Sequence, residues 1–207
     1  MTNYVFFAQF FNTGFLILLV NANLSEHEPK HLTQYLSKGQ FYDYQPDWYL
    51  KVGKLIVQTM LISSLMPYVG FLMVVYIPKV LRMMDNKDPF KTKMKSIQEL
   101  RSIWFGADFI IHIKQSENLN ILFVSMMYGV GMPILFPLAA FNFMNQWICD
   151  RYLVAWHMRL PPSLDDTLMR NFIGKVRIAP IIMAFNGYWM IENKQIFDNV
   201  WFYVEDK

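Results

Sequence analysis

The chain has 207 residues, of which 54% are hydrophobic and 17% aromatic, with a formal net charge of +3 and a mean hydropathy of +0.20. One soluble core of this size needs less apolar surface, so the expected class is an all-α, multi-pass integral membrane protein forming a single membrane region over residues 1–207. The lone cysteine, Cys149, excludes an intrachain disulfide and a thiolate metal centre, and basic residues that lie beside apolar runs favour a membrane surface over nucleic acid.

In chain order, the first predicted span covers residues 4–22. No Lys or Arg precedes it and its apolar core is long, which fits a retained anchor better than a cleaved leader. Gln9, Asn12 and Thr13 share one of its faces. The connection that follows carries Lys30, Lys38 and Lys51 against Glu26, Glu28, Asp43 and Asp47, so it has no basic excess. It also contains two tempting motifs. Asn23-Leu24-Ser25 is a glycosylation sequon that sits too near the span for ready modification. His27-Glu28-Pro29-Lys30-His31 matches a zinc-peptidase pattern, but Pro29 breaks the helix that pattern requires, so no metal or cofactor is expected.

The second span covers residues 52–77. Thr59 and Ser63 share a face there, Gln58 and Ser64 flank it, and Pro67 follows. Beyond it runs the most charged part of the chain, with Lys79, Arg82, Lys87, Lys91, Lys93, Lys95, Arg101 and Lys114. By the positive-inside rule this connection faces the cytoplasm. Within it Met94, Ile97, Leu100 and Ile103, followed by Trp104 and Phe105, have the spacing of an amphipathic helix, suited either to the inner membrane surface or to packing against span ends.

The third span covers residues 121–148 and contains Tyr128-Gly-Val-Gly-Met-Pro-Ile-Leu-Phe-Pro137. Two prolines and two glycines inside one apolar run predict a kinked, tilted helix. Pro133 and Pro137 set the bend, while Gly129 and Gly131 allow close packing or act as a hinge. Asn142, Asn145 and Gln146 line one face near its end. The fourth span covers residues 172–191. Strict alternation then puts the connection with Arg151, Arg159 and Arg170 outside, against the positive-inside rule, and the C-terminal tail inside.

No serine elbow, phosphate loop or carboxylate pair points to an enzyme, and His112 and His157 have no partner at catalytic spacing. The uncharged stripes carry the functional reading. Polar side chains in hydrocarbon need partners or water, so such stripes either join helices or line a hydrated path. Candidate path-lining residues are Gln58, Thr59, Ser63, Asn142 and Asn145.

The stretch from Phe123 to Ile182 resembles the C-terminal membrane region of the calcium-permeable stress-gated cation channels, the OSCA family, which is related to the anoctamins. The likeness lies in the aromatic and small-residue start at Tyr128, the proline core from Pro133 to Leu138, Arg151-Tyr152 and Ala179-Pro180. Segments such as FFNTGFLILLVNANL resemble a ciliate-type branch. The resemblance implies about four consecutive helices from a larger channel, with the second and third spans at the pore and the remaining channel helices, the lipid bilayer and permeant cations as partners. It further implies mechanical or osmotic gating, calcium permeability, a plasma-membrane or endomembrane location, and a homodimer as one assembly. A lipid-scrambling groove or a purely structural subunit are the alternatives. Asp150, which the alternation puts at the outer end, leaves cation selectivity without a named residue.

Overall fold

The computed structural model of the protein describes residues 2–21, 39–41, 43–84, 96–106, 108–159 and 166–192. The sequon, the His27–His31 motif, Met94 and the lysines from Lys87 to Lys95 lie outside them. The regular elements among the described residues are all helices, with no strand; an isolated bridge joins Asp108 to Arg159.

Helix α1 (residues 2–21) joins α-helical Thr2–Phe10 and Leu16–Asn21 through a π-helical turn, Phe11–Phe15. Helix α2 (residues 46–84) begins as Pro46–Trp48, widens into a π-helical turn at Tyr49–Gly53 and continues as Lys54–Met84. Pro46 stands at its first turn, where a missing N–H is harmless. Pro67 and Pro78 lie inside it without ending it. These two helices are long and apolar enough to cross a membrane, and only 11% of each apolar window is buried. Helix α3 (Ile97–Phe105) is capped by Ser96, whose hydroxyl accepts from the Gln98 N–H, and ends at Gly106, whose φ of 84° an L side chain rarely adopts. Arg82 of α2 donates from Nε to the Ile103 carbonyl at 2.8 Å and lies over the Trp104 ring, so the amphipathic stretch is tied to the end of α2.

The predicted third span is not one helix. Residues 111–156 form α4 (Ile111–Tyr128) and α5 (Leu135–Trp156), separated by a chain reversal at residues 129–134. The direction of each arm is fixed by its neighbours. Tyr128 lies beside Trp48 at the start of α2, whereas Lys114 reaches Asp150 late in α5. Asn145 meets Ser64 and Tyr68, and Tyr152 meets Phe71, so α5 runs parallel to α2 and antiparallel to α4. The physical reason is the placement of the prolines. Pro133 precedes the new helix and Pro137 falls in its first turn, where a proline starts a helix without losing a hydrogen bond.

The fourth span is likewise divided, into α6 (Thr167–Val176) and α7 (Ala179–Glu192). Pro180 occupies the first turn of α7, and Ile178 donates back to the Lys175 carbonyl across the join. Helix α7 packs along α4, with Ala179 near Phe6 and Leu119 at one end and Met190 near Gly131 at the other.

The bundle therefore has two chemically distinct ends. Lys79, Arg82, Lys114, Arg151, Arg159 and Lys175 gather at one, while Phe41, Tyr44, Trp48, Met132 and Met190 form the core of the other, where Lys51 lies over the Phe41 ring and Lys54 follows. The chain reversal moves Arg151 and Arg159 to the basic end, and α7 finishes at the aromatic end. This corrects the alternation expected from four unbroken spans and removes its conflict with the distribution of charge.

Between the ends, an apolar core persists, but large hydrophobic side chains also cover the surface and several polar ones are buried. Leu61, Leu65, Leu72, Met144, Trp147, Ile181 and Phe185 are exposed, whereas Ser64, Ser116, Ser125, Asn142, Asn145, Gln146 and Asn186 are buried. Exposed apolar area on this scale would be costly in water and is neutral against lipid tails.

Candidate functional site

The buried serines Ser64, Ser116 and Ser125 donate back to carbonyls of their own helices, and the other buried and half-buried polar residues of the interior fall into two groups. Asn145 belongs to the first: its Nδ2 donates to the Ser64 carbonyl at 3.1 Å and its Oδ1 accepts from the Tyr68 hydroxyl at 2.8 Å, joining α5 to α2. Asn186 does the same at the aromatic end, donating to the Met127 carbonyl at 2.6 Å and accepting from the Tyr44 hydroxyl at 2.8 Å. Burial raises the Tyr44 phenol above its ordinary range, so Tyr44 is a permanent donor to Asn186. These side chains are satisfied and act as joints between helices.

The second group lines a cleft of about 450 Å³ between α1, α2, α4 and α5. Ser63, Asn142, Gln146, Gln9 and Thr13 contribute to it, as do Lys114, Glu117 and Asn120 of α4. Thr13 donates to Asn120 Oδ1 at 2.8 Å, so one side of the lining is braced. The other is not. Asn142 is 1% exposed and neither its Oδ1 nor its Nδ2 has a hydrogen-bond partner in the protein; Gln146 Nε2 and Gln9 Oε1 are in the same position. Pro67 adds an acceptor, because it has no N–H to offer the Ser63 carbonyl one turn earlier. Buried polar atoms without partners are rare and expensive, and in a space this large they are satisfied by water or by a solute that replaces it.

A narrow recess of about 20 Å³ shares Thr13, Ser63, Asn120 and Ile121 with the cleft and extends the polar lining to Thr59, with room for about one water. Thr59 is half-buried and donates to its own Leu55 carbonyl at 2.8 Å. Toward the basic end, Lys114 Nζ lies 3.9 Å from Glu117 and 3.5 Å from Asp150.

The structure thus brings Ser63 and Asn142 together in the cleft and places Thr59 at its recess. Gln58 is exposed and lines neither space, and Asn145 is engaged as a joint. The sequence reading missed Lys114, Glu117 and Asn120. Their charge made residues 114–120 read as a connection, but 114, 117 and 120–121 follow helical spacing and continue to Val124 on the face toward α1 and α2.

Gly129, Gly131, Pro133 and Pro137 sit at the vertex of the α4–α5 hairpin. A Cβ on Gly131 would meet Met190 and the Tyr49 hydroxyl, and one on Gly129 would meet the Phe136 ring and the Ser125 carbonyl. Reciprocally, Gly53 receives Met132 Sδ and Gly187 receives the Val130 side chain. The vertex is wedged between α2 and α7, and its glycines serve close approach. The single positive-φ glycine among the described residues is Gly106. His157 stacks on Tyr152 with ring centroids 5.5 Å apart, a packing role. No group of three or more His, Cys, Asp or Glu among the described residues is placed to hold a metal. Comparison of the chain with protein-family models, with curated proteins and with solved structures finds no match.

Proposed function

We propose that the chain is the pore region of a multi-pass membrane protein that conducts cations under mechanical or osmotic control. The observation that carries this reading is the pairing of an apolar perimeter with a polar cleft in which Asn142, though buried, has both amide atoms free of protein partners. In a bilayer such atoms would face water; the cleft's charged lining is Glu117 and Lys114, and Asp150 of the neighbouring hollow lies 3.5 Å from the same ammonium, a surplus carboxylate that would favour cations. Helices α1, α2, α4, α5 and α7 would cross or enter the membrane, with the basic end toward the cytoplasm.

The gating reading follows from the hairpin. Its vertex at Gly129, Gly131, Pro133 and Pro137 is tightly wedged, while its arms are joined near the basic end through the ion pair of Lys114 with Asp150. Spreading of the arms about a fixed vertex would widen the cleft and increase the area occupied in the membrane, so tension would favour the open state.

Reconstitution of the full chain in liposomes, with pressure applied to excised patches, tests this reading. Pressure-evoked cation currents that fall when Asn142 is changed to Leu are expected. Currents indifferent to Asn142 would place the path elsewhere. A lipid-transfer reading is favoured by a broad open hollow of about 1080 Å³ lined by Asn118, Gln146, Trp147, Asp150 and Arg151. Transfer of labelled lipid in the same liposomes, without current, would select it.

A further inference from the structure

We propose that the hollow between α4 and α5 holds one phospholipid with an ethanolamine headgroup, its phosphate on Arg151 and Gln146 and its ammonium on Asp150 and Asn118. The inference rests on the membrane setting of the reading above and is the same whether the protein conducts ions or transfers lipid.

The hollow has a volume of about 1080 Å³, and its ligand is read from the polar atoms left over in its walls. Gln146 lines it and is 4% exposed, and its Nε2 is a buried donor without a partner. Asn118 Oδ1 and Asp150 Oδ1 are buried acceptors, also without a hydrogen-bond partner. Lys114 stands 3.5 Å from Asp150, farther than a tight charge-assisted hydrogen bond. Buried polar atoms left unpaired are costly, and here donor and acceptors are left over together. Arg151 adds an exposed guanidinium, held over the Trp147 ring at 5.2 Å. The walls therefore present one charge of each sign, from Asp150 and Arg151, with an amide donor and an amide acceptor beside them.

That pattern selects among headgroups. A phosphate accepts from Arg151 and Gln146, and its planar match to a guanidinium is a strong one. By itself it meets Asp150 as a like charge and leaves both acceptors unpaired. Choline brings a positive charge but no N–H, and serine adds a second carboxylate beside Asp150. The ethanolamine ammonium, like that of lysine, has three N–H donors and answers both acceptors. The chains are placed by Trp147 and Phe143, which line the same hollow about one and two turns from Arg151 toward the middle of the bundle. A tryptophan beside an arginine at a charged end is also the composition of a membrane interface.

The test places the full chain in nanodiscs with equal amounts of phosphatidylethanolamine, phosphatidylcholine and phosphatidylserine, then counts the lipids retained in detergent by native mass spectrometry. One phosphatidylethanolamine per chain is expected, retained about tenfold over either competitor, the effect of roughly one hydrogen bond to a charged group. Arg151→Gln should lower retention of all three lipids about tenfold, because all carry the phosphate. Asp150→Asn and Asn118→Leu should instead keep phosphatidylcholine bound and abolish the preference for ethanolamine, a split that general loosening of the fold does not produce. Should Asp150→Asn fail to fold, Asn118→Leu carries the same comparison. Glycerophosphoethanolamine, which has the headgroup without the chains, is expected not to displace the lipid at equal concentration.

Equal retention of the three lipids by the wild type, a preference for phosphatidylserine, or a preference unchanged in Asn118→Leu overturns the inference. Displacement by glycerophosphoethanolamine would make a soluble headgroup the ligand and overturns it too. A protein that shows the expected retention yet neither conducts nor transfers lipid sinks the functional reading and keeps the site; one that conducts without any headgroup preference sinks the site alone.

Discussion

The Lys114 ammonium stands 3.5 Å from the Asp150 carboxylate, which ties the beginning of α4 to the second half of α5 and makes residues 111–156 a hairpin. An unbroken kinked helix would hold these two residues at opposite ends of a long rod. The hairpin instead puts position 114 and position 159 at the same end. In a Cys149→Ser background, single cysteines at these two positions are expected to react with a membrane-impermeant thiol reagent from the same side of sealed vesicles. Reaction from opposite sides would rule out the hairpin.

Two asparagines one turn apart on α5 should respond oppositely to the same change. Asn145→Leu removes two interhelical hydrogen bonds and leaves the Tyr68 hydroxyl without its partner, so a loss of about 1–3 kcal/mol is expected. Asn142→Leu removes two unpartnered amide atoms and is expected to leave stability unchanged or raise it by about 1 kcal/mol. Thermal unfolding in detergent separates the two, and a destabilised Asn142→Leu would mean that Asn142 is also a joint.

The hairpin vertex gives a graded series. Gly131→Ala and Gly129→Ala each put a methyl group into occupied space and are expected to cost about 1–3 kcal/mol. Gly70→Ala and Gly174→Ala meet nothing within 4 Å and lie inside helices, so each is expected to stabilise by about 0.5–1 kcal/mol. Vertex variants as stable as wild type would show that Met190 and Phe136 yield freely.

Gly106 carries a different constraint. Its φ of 84° ends α3, and a Cβ there would also press on the His157 carbonyl. Gly106→Ala is expected to destabilise by about 1–2 kcal/mol and to loosen the contact between the end of α3 and the start of the 157–159 segment, measured as faster amide exchange at Met158 and Arg159.

The sequence made some of this legible and left the rest ambiguous for definite reasons. The first two spans stand out because their apolar runs are continuous, and prolines 67 and 78 do not end α2, whose other residues continue the helix. The stretch from Gly129 to Pro137 was recognisable as a backbone irregularity, but proline chemistry fits a kink and a fresh helix start equally well. What separates the two is the charge beyond it. Arg151 and Arg159 violate the positive-inside rule under a kink and obey it under a reversal, and that weight was available from composition alone. The same ambiguity hid Lys114 and Glu117, because charged residues read as a connection until Asp150 is brought to them. Of the polar stripes, the spacing identified Ser63 and Asn142 but could not tell them from Asn145, since satisfaction of a side chain depends on what the facing helix presents.

The neutralising pairing within the hairpin also bears on how the protein is made. Neither α4, with Lys114 and Glu117, nor α5, with Asp150 and Arg151, is both long and apolar enough to cross a membrane by itself, as α1 and α2 are. A lone charge at mid-bilayer opposes insertion by about 2.5–3.5 kcal/mol. If the hairpin enters a membrane as proposed, arms delivered together with Lys114 already matched to Asp150 would shed part of that penalty. In the proposed membrane setting, α4 and α5 are therefore expected to insert as a pair and not one after the other.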